Sequence, residues 1–171
     1  MPQKFVFSGD RLRHAMEFLG LTQAEFASRV GTKQYNISRW LYEQFDPSAP
    51  LLRAMADATG LPMSYFMLAE GEPAWPVDAD VMKTLEAARG STPQAKAYRF
   101  DLERLRLALD ETGMRQVDIA ERLGLKQGNL SRMLNTPDYT PRSSLLAAMA
   151  DLTGKQMEWF MVESPVSAAT K

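Results

Sequence analysis

QAEFASRVGTKQYNISRWL, residues 23–41, and QVDIAERLGLKQGNLSRML, residues 116–134, are two versions of one pattern. Gln23, Ala27, Arg29, Gly31, Lys33, Gln34, Asn36, Ser38, Arg39 and Leu41 recur as Gln116, Ala120, Arg122, Gly124, Lys126, Gln127, Asn129, Ser131, Arg132 and Leu134. The likeness extends outward on both sides. Phe7, Arg11, Leu12, Arg13, Ala15 and Gly20 return as Phe100, Arg104, Leu105, Arg106, Ala108 and Gly113, and LLRAMADATGLPMSYFM (51–67) returns as LLAAMADLTGKQMEWFM (145–161). Two unrelated amphipathic helices would share only their apolar positions. Here polar positions recur as well, which reads as an internal duplication.

Each repeat divides into five short helical segments. In the first, Ser8 is a candidate cap for a helix over about 9–19, ended by Gly20. Thr22 is placed to cap 23–30, with Glu25 at the positive end and Gly31 as the stop. A third segment covers about 33–43, Pro47 and Pro50 bracket a loop, a fourth covers 51–59, and a short fifth covers 62–67. The second repeat follows the same plan from Asp101 as its first cap, with Pro137 and Pro141 in its loop. No alternating β-branched run appears, so the expected class is all-α. The domain boundaries follow: 1–68 and 98–163 for the two repeats, 69–97 for a linker with a short helix over 81–90, and 164–171 for a disordered tail. The linker, with Glu70, Glu72, Asp78, Asp80 and Glu86, reads as a tether and is the acidic part of the chain.

Composition narrows the function classes. The 171 residues carry no cysteine, which removes disulfides and thiolate metal sites. His14 is the single histidine, and its setting in RLRHAMEFL reads as helix surface or half-buried rather than catalytic. Glu103 and Asp110 alternate with arginines as a solvated helix face would. No phosphate loop, HExxH or GxSxG occurs. The expectation is therefore a non-enzyme with no cofactor, no metal and no evident small-molecule ligand. No apolar run reaches the ~18 residues of a membrane span, and the first residues are too polar for a signal peptide, so a cytoplasmic location is expected.

The 23–41 and 116–134 segments resemble the helix-turn-helix of the Cro and lambda-repressor type, the xenobiotic-response-element family. The resemblance covers about 7–67 and 100–161 and implies two lambda-repressor-like five-helix domains in tandem. Ala27 and Ala120 would sit where two helices cross, and Gly31 and Gly124 at the turn between them, where positive φ is required. The second helix of each motif would lie in the major groove of double-stranded DNA.

That resemblance assigns base reading to Gln34, Tyr35 and Arg39 in the first repeat, and to Gln127 and Arg132 in the second. Glutamine pairs two-fold with adenine and arginine with guanine. Backbone contacts fall to Gln23, Lys33, Asn36 and Ser38, and to Gln116, Lys126, Asn129 and Ser131. Gly128 stands where Tyr35 stands, so the repeats are expected to be related readers with unequal tasks. The implied function is a sequence-specific transcriptional regulator, a repressor rather than an activator; the alternative is a protein-interaction module such as an antitoxin or antiactivator. The family's two-fold binding implies a homodimer, or one chain folded as its own pseudo-dimer. The net charge of −1 and pI near 5.9 require that any DNA-binding charge be local.

Overall fold

The computed structural model describes residues 3–89 and 94–164. The first repeat runs β1 (Phe5–Phe7), α1 (Gly9–Leu19), α2 (Gln23–Val30), α3 (Gln34–Leu41), α4 (Ala49–Thr59), a 3-10 turn (Met63–Phe66) and β2 (Met67–Ala69). After α5 (Ala79–Ala88) the same order returns: β3 (Tyr98–Phe100), α6 (Leu102–Glu111), α7 (Gln116–Arg122), α8 (Gln127–Leu134), α9 (Ser143–Thr153), a 3-10 turn (Met157–Phe160) and β4 (Met161–Glu163).

The helix starts are set by the caps expected from the sequence. Ser8 Oγ accepts from Arg11 N, Thr22 and Glu25 exchange both bonds of a capping box, and Asp101 accepts from Glu103 N and Arg104 N. The bond from Thr22 N also holds the Glu25 carboxyl below its ordinary pKa, because the charged form is the better acceptor. Gly20 closes α1 in the left-handed conformation at φ +71°.

Four boundaries differ from the sequence reading. α3 is shorter than 33–43, because Lys33 is its extended cap residue and Tyr42 has already left helical geometry. α4 begins at Ala49 and takes Pro50 into its first turn, where the missing N–H costs no helical bond. The fifth segment of each repeat is a single 3-10 turn that runs into a strand. α5 starts at Ala79, two residues ahead of the expected 81.

The all-α expectation misses the strands. β1 pairs antiparallel with β2, and β3 with β4, tying the start of each repeat to its end. Each is three residues long, too short to display alternation. Residues 90–93 of the linker and 165–171 of the expected tail lie outside the described residues. Ser164, assigned to the tail, donates its N–H to Ala97 O at 2.9 Å beside the β3–β4 pair.

The linker is more than a tether. Leu85 of α5 is fully buried in the core, and α5 packs on α1. Upstream, Arg11 Nε donates to Ala74 O, and Trp75 meets the His14 ring edge-on at 4.8 Å. Downstream, Gln94 Nε2 donates to Ser28 O, Ala95 N to Arg29 O and Lys96 N to Asp57 Oδ2. Helical period places Val81, Leu85 and Ala88 on one side of α5, but what Leu85 packs against lies far away in sequence.

The repeats meet across a local two-fold axis. Ser48 and Arg142 bridge each other; Ala49 N donates to Pro141 O and Ser143 N to Pro47 O, both at 3.0 Å, each bond the counterpart of the other. β1 packs on α9 while β3 packs on α4, and α4 packs on α9. Such reciprocity is the mark of an isologous contact, here within one chain. The buried side chains of both repeats form one continuous cluster. Near the axis the two 3-10 turns touch, and Met63 N donates to Glu158 Oε2 at 2.6 Å.

Candidate nucleic-acid interface

α2 and α3 cross over a tight turn, as do α7 and α8. Ala27 and Ala120 are buried at the crossings, where a larger side chain would force the helices apart. Gly31 (φ +87°) and Gly124 (φ +71°) make the turns. Phe26, Ile37 and Trp40 fill the inside of the first motif, and Ile119, Leu130 and Met133 that of the second.

What these inner residues leave outside is the candidate surface. Lys33, Gln34, Tyr35 and Arg39 are exposed along α3, with Asn36 and Ser38 half-buried between them. On α8, Lys126, Gln127, Asn129 and Arg132 are exposed and Ser131 is half-buried. Gln23 and Gln116 open α2 and α7, the first half-buried and the second exposed. The predicted residues are thus exposed or half-buried positions of α2 and α3 in the first repeat and of α7 and α8 in the second, with the caps Lys33 and Lys126.

The two faces differ in how their side chains are held. Arg39 lies 4.3 Å from the centroid of the Phe45 ring, a stack that restrains its guanidinium while leaving the charge exposed. Arg132 has no such ring among the described residues. Asn36 Nδ2 donates to Thr32 Oγ1 at 2.8 Å; in the second repeat that hydroxyl is replaced by Leu125, and the Asn129 amide has no such partner. Tyr35 is 60% exposed, and nothing lies within 4 Å of a Cβ built at Gly128.

The sequence reading missed Phe45 and the Arg13 guanidinium near the Tyr42 ring at 5.9 Å. An aromatic near an arginine was the available signal, but loop geometry decides whether the two stack. His14, expected to be surface or half-buried, is half-buried: its Nδ1 lies 3.0 Å from the Tyr65 hydroxyl. Burial pushes that phenol up to about 12, against the opposing pull of Arg11.

The ion pairs among the described residues tie up Arg13, Arg53, Arg89, Lys96, Arg104, Arg106, Arg115 and Lys155. Among the described residues Lys33, Arg39, Lys126 and Arg132 are in no ion pair, as is also true of Lys4, Arg11, Arg29, Lys83, Arg99, Arg122 and Arg142. A chain with one net negative charge therefore keeps uncompensated cations on α3 and α8. Among the described residues no cluster of histidine, cysteine or carboxylate groups could hold a metal, and no helix is long and apolar enough to cross a membrane.

Two helices crossing over a glycine turn, with an exposed second helix and supporting helices on either side, define a helix-turn-helix domain. Residues 12–66, a stretch that lies within the first repeat, match the family model described as Helix-turn-helix. Comparison with the curated proteins and with the solved structures finds no match.

Proposed function

We propose that the chain is a sequence-specific DNA-binding repressor that reads the major groove with two recognition helices, α3 and α8, of a duplicated helix-turn-helix domain. One observation carries the reading: α3 and α8 with their cap residues present exposed Lys, Gln and Arg side chains and no carboxylate of their own, on repeats that contact each other reciprocally within one chain. Gln34, Tyr35, Arg39, Gln127 and Arg132 are the base readers. Gln23, Lys33, Asn36, Ser38, Gln116, Lys126, Asn129 and Ser131 contact the backbone, aided by the positive helix ends near Gln23, Gln34, Gln116 and Gln127.

The domains are 1–68 and 98–163. Helix-turn-helix dimers address half-sites about one helical turn apart; here one chain supplies both readers and takes the place of the expected homodimer. The half-sites are unequal, since Tyr35 and the Phe45-braced Arg39 face Gly128 and an unbraced Arg132. Repression is the proposed mode, since a site occupied by both repeats is closed to other proteins.

Arg39→Ala and Arg132→Ala are each expected to weaken operator binding about 5- to 150-fold, the value of one bidentate arginine–guanine pair at roughly 1–3 kcal/mol. Each should relax preference in its own half-site only. Mobility shifts on operator variants measure this. If both variants keep full affinity and preference, the assignment of the readers is wrong.

A further inference from the structure

The local two-fold axis makes each repeat a comparison for the other, and at one place they differ in chemistry. Where α4 meets β3, Arg53 lies 4.3 Å from the Tyr98 ring centroid and 3.9 Å from Asp57. Asp57 also accepts from Lys96 N at 3.0 Å, and burial pushes the Tyr98 phenol up against the pull of Arg53. A guanidinium is thus held between an aromatic face and a carboxylate. The related place is where α9 meets β1. There the ring is retained as Phe5 and the carboxylate as Asp151, but the arginine position is Ala147.

Those three counterparts line a cavity of about 430 Å³ at the seam between the repeats. Its other walls include Met67 and Met157, apolar, and Glu158. Lys155, the cation in the lining, is turned to Glu111 at 3.2 Å and over the Trp159 ring at 4.9 Å. Asp151 is exposed and has no partner among the described residues. We propose that this cavity binds a small guanidinium or alkylammonium cation, stacked on Phe5 and paired with Asp151, in the position that Arg53 takes on the other side of the axis. The cavity has walls from both repeats, so its ligand would bridge them. The proposal is independent of the DNA-binding reading.

The probe is N-methylguanidinium, titrated into the full chain at constant ionic strength with N-methylurea as its neutral isostere, followed by amide chemical shifts. An exposed ion pair and a cation–π contact are both weak, so a Kd of some tens of millimolar is expected. The expected result is a saturable shift centred on Phe5 and Asp151, absent with the urea. Asp151→Asn should weaken it at least about fivefold. Ala147→Arg, which supplies the guanidinium from the chain, should abolish it while the remaining spectrum keeps its native dispersion. A shift that the urea reproduces, that does not saturate, or that survives in Asp151→Asn at full strength overturns the proposal.

Discussion

Gly9→Ala is expected to destabilise the chain by about 3 kcal/mol, the upper part of the range for overpacking a tight contact. A Cβ at Gly9 would press on the Leu41 carbonyl oxygen and stand 2.9 Å from both Leu41 C and Trp40 O. These are backbone atoms at the end of α3, so no side-chain rotation relieves the clash. The same approach lets Gly9 N donate to Glu43 Oε2 at 2.9 Å, and Glu43 itself adopts φ +56°. In the second repeat Leu102 stands at this position and is buried, while Arg106 donates to Leu134 O, the counterpart of Leu41 O. The mutation should therefore loosen the contact between α1 and α3 only. Urea unfolding of Gly9→Ala, with Leu102→Ala as the cavity-forming comparison, measures it; an unchanged midpoint for Gly9→Ala would contradict the close approach.

The other large effect lies in the linker. Leu85→Ala should cost about 2–5 kcal/mol, the range for truncating a fully buried leucine. A residue in a free tether would cost almost nothing. Leu85 is 0% exposed, and Arg89 of the same segment reaches over the Phe18 ring at 5.1 Å. Amide exchange should also accelerate along α5 and at Ala95, whose N–H is bonded to Arg29 O. A Leu85→Ala protein with wild-type stability would return the linker to the role of tether.

The contrast between these two positions shows what the sequence carries. The ends of α1 and α2 were legible because the Ser8 and Thr22 caps and the glycines at 20 and 31 are local signals acting within one turn. The exposed faces of α3 and α8 were legible because helical period and repetition separate inward from outward positions. Gly9 gave no warning, since its constraint comes from a carbonyl more than thirty residues away. The strands were hidden by their length, and Leu85 by the distance of its partners. The reciprocal contact through Ser48 and Arg142 lies in loops whose sequences diverge between the repeats, so the repeated pattern did not announce how the two halves pair.

Within the candidate surface, repetition identified which residue types stay together but not how they are held. Arg39 and Arg132 are identical letters in similar helices. One is stacked on Phe45 and the other is not, a difference set by the path of the loop that follows. Which residues lie exposed on a helix is thus predictable before how rigidly they are held.

The central claim is that one chain presents two unequal DNA readers across its own two-fold axis. Selection of bound duplexes from a random pool by the full chain, with the mass of the selected complex determined, tests it most directly. The account predicts enriched sites with two related but unequal half-sites about one helical turn, ~34 Å, apart, one chain per site, and affinity that falls steeply with salt. An unenriched pool, or a site that requires two chains to fill two half-sites, would contradict it.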